Sequence, residues 1–246
     1  VEAVVNKCRD KGAAIRIGVN SGSLPKDIAD AVFDKRISRS QGLAQTALRE
    51  VEVFDKLGFD QVIVSMKASS VLETVEANKE FAKQSDIPLH VGVTEAGPLI
   101  GGIVKSTLAF SSLLYQNIGN TIRVSLSSSP ENEVITGNEI LREIGKRSGG
   151  VKIVSCPRCG RNGFDVHGFI DRWQNRLLSM DKDITVAVMG CVVNGPGEGK
   201  HADIGITGAG NKVMIFKHGK IIQTVSAENA DNVFEKELLS LWNIFE

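Results

Sequence analysis

The chain lacks an excess of charge of either sign, because its 246 residues hold 29 Lys plus Arg and 29 Asp plus Glu. This balance excludes both the basic stripe of a nucleic-acid surface and an acidic tail, so any anion must bind locally. No apolar run approaches the roughly 18 residues of a membrane span, and VEAVVNKCRD at the start lacks the layout of a signal peptide. We therefore expect a cytoplasmic protein with no nucleic-acid partner and no membrane partner.

Cysteine is scarce as well. Four cysteines in 246 residues are too few for the disulfide scaffold of a small secreted protein. In a reducing compartment, clustered cysteines are more often metal ligands or redox groups. Three of the four lie beyond residue 149, whereas Cys8 stands alone in NKCRDKG and is predicted to be structural. The spacing of the other three is therefore the main clue to function.

Residues 1–148 alternate short apolar strands with amphipathic helices, which is typical of parallel strands with right-handed crossovers. After the first strand, apolar residues recur at helical spacing up to Gly58, which stands where a glycine ends a helix. Ser70 and Glu73 have the form of a capping box at the next helix. Only four strand-helix pairs are visible, half of those in a (β/α)8 barrel. The pattern predicts an open sheet or the second half of a TIM barrel, with strands over 14–20, 61–66, 88–93 and 121–126.

The pattern changes after residue 148, and we place a boundary there between domains over 1–148 and 149–246. The second segment holds CPRCGR, a predicted helix over 164–178, the strand ITVAVMG and a glycine-rich stretch. A hairpin that turns at His218 and Gly219 follows, and then a last helix that ends at Glu246. This order predicts a small α/β or α+β domain.

Polar and cationic side chains stand toward the carboxyl ends of the strands predicted in the first domain. Ligands bind at that end of parallel α/β folds, because the loops converge there. Arginine binds phosphate through forked hydrogen bonds, and lysine binds it as a point charge. The residues are Arg16 and Asn20, Lys67, His90, and Arg123 with Ser125. Together they predict a phosphate or diphosphate pocket, although each alone is equally consistent with a structural or surface role.

Cys156 and Cys159 form a Cys-x-x-Cys pair, and Cys191 follows the next predicted strand. The pair alone fits a redox dithiol, a zinc site or an iron-sulfur cluster. Since both segments follow apolar strands, two strand ends would bring three sulfurs together. Zinc would need a fourth ligand such as Glu198 or His201. A cluster with three thiolates and one other ligand fits as well, and its odd iron can exchange that ligand for a substrate oxygen.

Several segments together resemble one family, in that family's order and over essentially the whole chain. They are IRIGVNSGSL (15–24), VSMKAS (64–69), LHVGVTEAG (89–97), IGNTIRVSL (118–126), CPRCGR (156–161) and GCVVNGPGE (190–198). The last two are highly specific in combination. The sequence thus resembles the GcpE family, the 4-hydroxy-3-methylbut-2-enyl diphosphate synthases of the methylerythritol phosphate route to isoprenoids.

The resemblance implies a barrel followed by an iron-sulfur domain similar to those of sulfite and nitrite reductases. This sequence would supply the second half of the barrel, since the family's first-half motifs are not in it. The implied reaction is the reductive ring opening and dehydroxylation of 2-C-methyl-D-erythritol 2,4-cyclodiphosphate, with two electrons from ferredoxin or flavodoxin. A homodimer is also implied, in which the cluster domain of one subunit closes the barrel of its partner.

The resemblance also implies roles for individual residues. A 4Fe-4S cluster would be held by Cys156, Cys159, Cys191 and Glu198. The positions that match the barrel mouth are Arg16, Asn20, Lys67, His90, Glu95 and Arg123, with Ser125 beside Arg123 as a further substrate contact. The predicted catalytic residues are His90 and Glu95, for proton transfer or hydroxyl positioning, with Asn194 near the cluster and Glu198 on it.

Two functions of other classes stay open beside this one. A phosphosugar lyase or aldolase with Lys67 as a Schiff base would use the cationic pocket, but would leave the three cysteines and Glu198 without a role. A zinc-stapled binding module would use the cysteines without any catalysis. Metal and sulfide analysis would separate these hypotheses.

Overall fold

The chain divides into two compact units, which we call unit 1 (Val1–Arg147) and unit 2 (Ser148–Glu246). Each unit is described by itself below. Within the described residues, no helix is both long enough and apolar enough to cross a membrane. The computed structural model describes residues 1–157, 159–210 and 212–241, without the side chains of Pro196 and Glu198.

The strands of unit 1 run parallel in the order of the sequence, as the alternation of strands and helices predicts. The first two pair in parallel from Ile15 with Val62 onward, and the last two pair in parallel. A parallel bridge between Val64 and Leu89 joins the two pairs. The strands are β1 (Ile15–Asn20), β2 (Val62–Lys67), β3 (His90–Val91) and β4 (Thr121–Ile122).

The strands β3 and β4 are shorter than predicted over 88–93 and 121–126. Single backbone hydrogen bonds continue the pairing, since the Arg123 N–H donates to the Val91 carbonyl at 2.9 Å. Beyond β3 the chain turns through Glu95 at φ +52° and Gly97 at φ +105°. Left-handed backbone of this kind does not continue a strand, so no strand could extend past residue 94.

The helices of unit 1 follow the strands, and their ends have clear local causes. The helix over 39–56 begins at a capping box, in which the Ser38 hydroxyl accepts from the Gln41 N–H and the Gln41 side chain accepts from the Ser38 N–H. It ends before Gly58, which has φ +62° as predicted. Ser70 accepts from the Glu73 N–H, while the Glu73 carboxylate lies 3.7 Å from Arg39. The helices are α1 (Glu2–Lys11), α2 (Lys26–Phe33), α3 (Arg39–Lys56), α4 (Val71–Ala82), α5 (Leu99–Leu114) and α6 (Pro130–Glu143).

The core of unit 1 lies between one face of its strands and the helices. Ile17 and Val19 of β1 and Val64 and Met66 of β2 are buried there, together with α3 residues such as Leu43. Because side chains alternate along a strand, the residues between them point to the opposite face. We call that opposite face the inner face.

The sheet of unit 2 has the order β5-β6-β7-β8-β9, parallel from β5 to β7 and antiparallel from β7 to β9. The predicted hairpin is confirmed. Its turn residues His218 and Gly219 both have positive φ, as a two-residue turn between twisted strands requires. The strands are β5 (Val151–Ser155), β6 (Ile184–Met189), β7 (Ile204–Ala209), β8 (Lys212–Lys217) and β9 (Lys220–Ser226).

The helices of unit 2 differ from the expectation at their ends. The helix predicted from residue 164 starts at Val166, because the Asp165 side chain caps it by accepting from the Gly168 N–H at 3.2 Å. Part of the glycine-rich stretch, NGPGE, is a short helix, and a proline is tolerated in a first helical turn. The predicted helix end at Glu246 lies outside the described residues. The helices are α7 (Val166–Leu178), α8 (Asn194–Glu198) and α9 (Ala230–Ser240).

An aromatic cluster forms the core between α7 and α9. Phe169 stacks on Trp173, and Phe234 meets both rings edge-on with centroids 5.1 Å away. All three side chains are buried. This packing covers one face of the sheet whose strand ends carry the cysteines.

Candidate active site

The inner face of unit 1 bears the polar residues predicted on β1 and β2. Arg16, Gly18 and Asn20 alternate with the buried residues of β1. The strand register sets Gly18 beside Ser65 and Asn20 beside Lys67. Three polar or cationic side chains and an unexpected serine are thus set side by side on two neighbouring strands.

Arg16, Lys67 and Arg123 come close enough to act on one another, and we call them the cationic cluster. Lys67 is only 8% exposed. Burial, and then the charges of Arg123 and Arg16, lower the pKa of Lys67 below its ordinary value. Like charges held together in this way are relieved by a bound anion. The cluster therefore has the electrostatics of a phosphate site.

His90 lies within reach of the same three charges. Burial, followed by Arg16, Lys67 and Arg123, lowers the pKa of His90, so its imidazole is neutral at pH 7. Its Nδ1 is 2.8 Å from the Thr121 hydroxyl. Its Nε2 is buried, and no described residue pairs with it. The ring is therefore fixed on one side and unpaired on the other.

The other residues predicted in unit 1 lie around this cluster with fewer contacts. Asn20 is the last residue of β1, and its backbone carbonyl accepts from the Ser23 hydroxyl at 3.0 Å. The Ser125 hydroxyl accepts from the Arg123 guanidinium at 3.4 Å. Glu95 is exposed in the loop after β3, and no described hydrogen bond joins it to the cationic cluster. The structure thus brings Arg16, Lys67, His90 and Arg123 together and leaves Glu95 apart.

The cysteines of unit 2 follow neighbouring strands, as their spacing predicts. Cys156 comes directly after β5, and its N–H donates to the Val188 carbonyl of β6 at 3.3 Å. Cys191 follows β6 and is 6% exposed, whereas Cys159 is exposed. In the part of the chain that the structure describes, no three His, Cys, Asp or Glu side chains converge as metal ligands. Cys8 instead packs against the core of unit 1.

Asn194 begins α8, and the Glu198 side chain lies outside the described residues. The short helix follows Cys191 closely, because the Gly195 N–H donates to the Cys191 carbonyl at 2.9 Å. A Cβ on Gly195 would stand 2.7 Å from the Thr207 side chain. Only a glycine therefore lets this helix lie directly on β7.

The surroundings of Cys156 fit a metal-bound thiolate. The Gly190 N–H donates to the Cys156 Sγ at 3.1 Å, and hydrogen bonds to the sulfurs are among the features that tune an iron-sulfur cluster. A Cβ on Gly190 would stand 2.4 Å from the Asn162 Oδ1 and 3.6 Å from that Sγ. The buried Asn162 Oδ1 and Thr207 Oγ1 have no partner among the described residues. A thiol ligand and unpaired polar atoms lie near one another here. This combination fits an iron-sulfur cluster, to which the thiols would bind while the polar atoms hydrogen-bond to water on the cluster.

Sequence reasoning missed Ser65, Thr121, Asn162 and Thr207. Serine, threonine and asparagine are common in strands and loops, so their identity alone carries no signal. Strand register could have indicated Thr121, since it stands opposite His90. The other three are found only through the contacts of the folded chain.

Comparison with known proteins gives two family matches. A family model described as the GcpE TIM-barrel domain matches residues 1–138. A second, described as the GcpE protein C-terminal domain, matches residues 152–240. The matches follow the order of the two units and together cover most of the chain.

Curated relatives are similar over nearly the whole chain. The 4-hydroxy-3-methylbut-2-en-1-yl diphosphate synthase (flavodoxin) of Treponema pallidum is 58% identical over an alignment of 257 positions. That alignment covers 98% of this chain and 64% of the relative. The protein of the same name from Treponema denticola is 57% identical, over 98% of this chain and 69% of the relative. That of Clostridium acetobutylicum is 43% identical, over 97% and 67%. The chain thus spans about two thirds of the length of the curated relatives that it matches.

Proposed function

Since the chain belongs to the GcpE family, we propose that the protein catalyses the reductive ring opening and dehydroxylation of 2-C-methyl-D-erythritol 2,4-cyclodiphosphate. The product is 4-hydroxy-3-methylbut-2-enyl diphosphate, formed with two electrons and with loss of one oxygen as water. The observation that carries this proposal is the convergence of Arg16, Lys67 and Arg123 around a neutral His90. A small, doubly phosphorylated substrate matches that charge.

The cationic cluster would bind the diphosphate. The guanidiniums of Arg16 and Arg123 offer forked donors to phosphate oxygens, and the Lys67 ammonium offers a point charge from a buried position. Asn20 and Ser125 would add neutral donors at the ends of their strands. Because the three cations repel one another in the free protein, the substrate both gains these contacts and removes the repulsion.

His90 and Glu95 would handle protons and hydroxyl groups of the substrate. A neutral imidazole can give or take a proton near pH 7, whereas a permanently charged one can only give. Glu95 stands in the left-handed conformation with φ +52°, which is uncommon for a residue with a side chain and supports a functional role for it. Asn194, next to the cysteine segment, would act near the cluster of unit 2.

In unit 2, Cys156, Cys159, Cys191 and Glu198 would hold a 4Fe-4S cluster. Such a cluster, when bound, supplies electrons one at a time and a Lewis-acidic iron. The residues themselves contribute thiolates at two strand ends and a backbone donor from Gly190 to the Cys156 sulfur. Unit 2 would then be similar to the cluster domains of sulfite and nitrite reductases.

The assembly and the electron donor are also proposals. Flavodoxin appears in the printed names of the relatives, and ferredoxin could play the same part. A homodimer would supply a second copy of each unit. The lyase or aldolase hypothesis uses the lowered pKa of Lys67 but gives the cysteines no role, and the names of the relatives do not support it.

Anaerobic purification tests this proposal. We expect about four irons and four sulfides per chain, a cluster absorbance and EPR signal, and turnover of the cyclodiphosphate with reduced flavodoxin. One zinc per chain without acid-labile sulfide would refute it in favour of the binding module. Borohydride trapping of a substrate adduct on Lys67 would refute it in favour of the lyase.

Anion binding by the cationic cluster can be tested in protein that holds no iron-sulfur cluster. Inorganic pyrophosphate at 100 times its dissociation constant should raise the free energy of unfolding by about 2.7 kcal/mol. Lys67→Met should weaken pyrophosphate binding by about tenfold, because one charge-assisted contact is lost. Urea unfolding with and without pyrophosphate measures the first effect, and calorimetric titration measures the second. Lys56→Met is the matched control, because Lys56 is the exposed last residue of α3. Equal pyrophosphate affinities for the two variants would contradict the assignment.

A further inference from the structure

A row of residues crosses the inner face of unit 1. Along the chain, Ser65 of this row lies two residues before Lys67, and Thr121 lies two residues before Arg123. Gly18 of β1 pairs with Ser65 of β2. The bridge between Val64 and Leu89 sets the next residues, Ser65 and His90, side by side. His90 pairs in turn with Thr121 of β4. The hydroxyl-bearing residues Ser65 and Thr121 therefore flank the imidazole on its two sides.

The two flanks differ in their hydrogen bonds. On the Thr121 side, the hydroxyl lies 2.8 Å from the His90 Nδ1. On the Ser65 side, the Ser65 Oγ and the His90 Nε2 are both buried, and neither pairs with any described residue. A buried polar group without a partner costs about 1–3 kcal/mol, so a ligand oxygen that pairs with both of these adjacent groups would remove that cost. At Gly18, which is next to Ser65 in the strand register, a Cβ would meet nothing within 4 Å, so the space in front of this residue is open.

The charges around His90 decide whether its imidazole carries one proton or two. Burial and the cationic cluster keep His90 neutral, so only one of its ring nitrogens carries a hydrogen. The same cations attract an anion. To bind an anionic oxygen, Nε2 must be the protonated nitrogen, and Nδ1 must then accept. The Thr121 hydroxyl is a group that can donate to Nδ1 in this arrangement.

We propose that Ser65 and the His90 Nε2–H together bind one phosphate oxygen of the substrate, and that Thr121 is a positioning residue that donates to Nδ1 and so sets the His90 tautomer. The inference rests on the anion site of the proposed function. It adds a neutral pair of donors, both at buried atoms, to the three cations. The cations attract any anion through its charge, whereas hydrogen-bond donors require an oxygen at one position. The Ser65 and His90 pair therefore favours a diphosphate whose phosphate oxygen lies at that position.

Variants of the whole chain with inorganic pyrophosphate as the probe test the two roles. Ser65→Ala should weaken pyrophosphate binding about tenfold, as expected for one lost hydrogen bond to a charged group. Ser106→Ala is the matched control, since Ser106 of α5 is equally buried and unpartnered but lies outside the inner face. Its affinity should match that of the unsubstituted chain.

Thr121 is tested by the nitrogen spectrum of His90 in ¹⁵N-labelled protein, assigned by the signal lost in His90→Gln. The unsubstituted chain with pyrophosphate should show a single Nε2–H tautomer. Thr121→Val should show a mixture of tautomers, and Thr121→Ser, which keeps the hydroxyl, should restore the single form. A purely structural threonine would change the free energy of unfolding but not the tautomer.

The outcomes separate this inference from the function on which it rests. If pyrophosphate does not bind the unsubstituted chain, both the anion site and the inference are wrong. If it binds and Ser65→Ala binds equally well, only the role of Ser65 is wrong. An Nδ1–H tautomer in the complex, or an unchanged spectrum in Thr121→Val, would overturn the role of Thr121.

Discussion

Replacement of Cys191 by serine is expected to abolish stable iron binding. Cys191 is the most buried of the three cysteines of unit 2, and it follows β6, the strand beside that of Cys156. Loss of a thiolate removes one sulfur ligand of a set of three. Since even groups that only support a ligand change metal affinity by about 10–100-fold, loss of the ligand itself should cost about 100-fold or more.

The measurement is the iron and sulfide content after anaerobic reconstitution, with the cluster absorbance beside it. Serine is nearly isosteric with cysteine, so unit 2 should stay folded, and circular dichroism checks this. Cys8→Ser provides the control, because Cys8 is part-buried in α1 and packs against the core of unit 1. Full iron content in Cys191→Ser, with an unchanged spectrum, would disprove the assignment.

Phe234→Ala is expected to destabilise unit 2 by about 3–5 kcal/mol, the usual cost of removing a fully buried phenylalanine. Its ring is 0% exposed and contacts both Phe169 and Trp173 edge-on. Alanine would leave a cavity between α7 and α9 that the surrounding helices can fill only in part. The sheet that carries Cys156 and Cys191 would lose the support of that layer.

Urea unfolding followed by tryptophan fluorescence measures this effect. Both tryptophans of the chain lie beyond residue 148, so their emission reports on unit 2. Leu239→Ala is the control on the same helix, because Leu239 is 46% exposed and its loss should change stability by about 0.5 kcal/mol or less. A loss below about 1 kcal/mol in Phe234→Ala would show that α9 is not held by this cluster.

The predicted boundaries held where a local signal acts and shifted where it does not. Gly58 follows the end of α3 because a backbone position with positive φ favours glycine. A glycine at that place can be recognised in the sequence. The hairpin turn at His218 and Gly219 is also local. By contrast, β3 covers only His90–Val91 of the predicted 88–93, because pairing with the neighbouring strands decides where a strand ends, and the local sequence does not show that pairing.

Periodicity and motif spacing by themselves determined the alternation of parallel strands, the polar residues that share one face of β1 and β2, and the segments that carry the three cysteines. These follow from the residues along one strand or helix, because alternation and helical spacing are local properties of the backbone. Only the tertiary structure decided what each side chain meets across strands. The lowered pKa of Lys67 and His90, the pairing of His90 with Thr121 and the unpaired Ser65 beside it depend on strand register and burial, which bring together residues far apart in the chain.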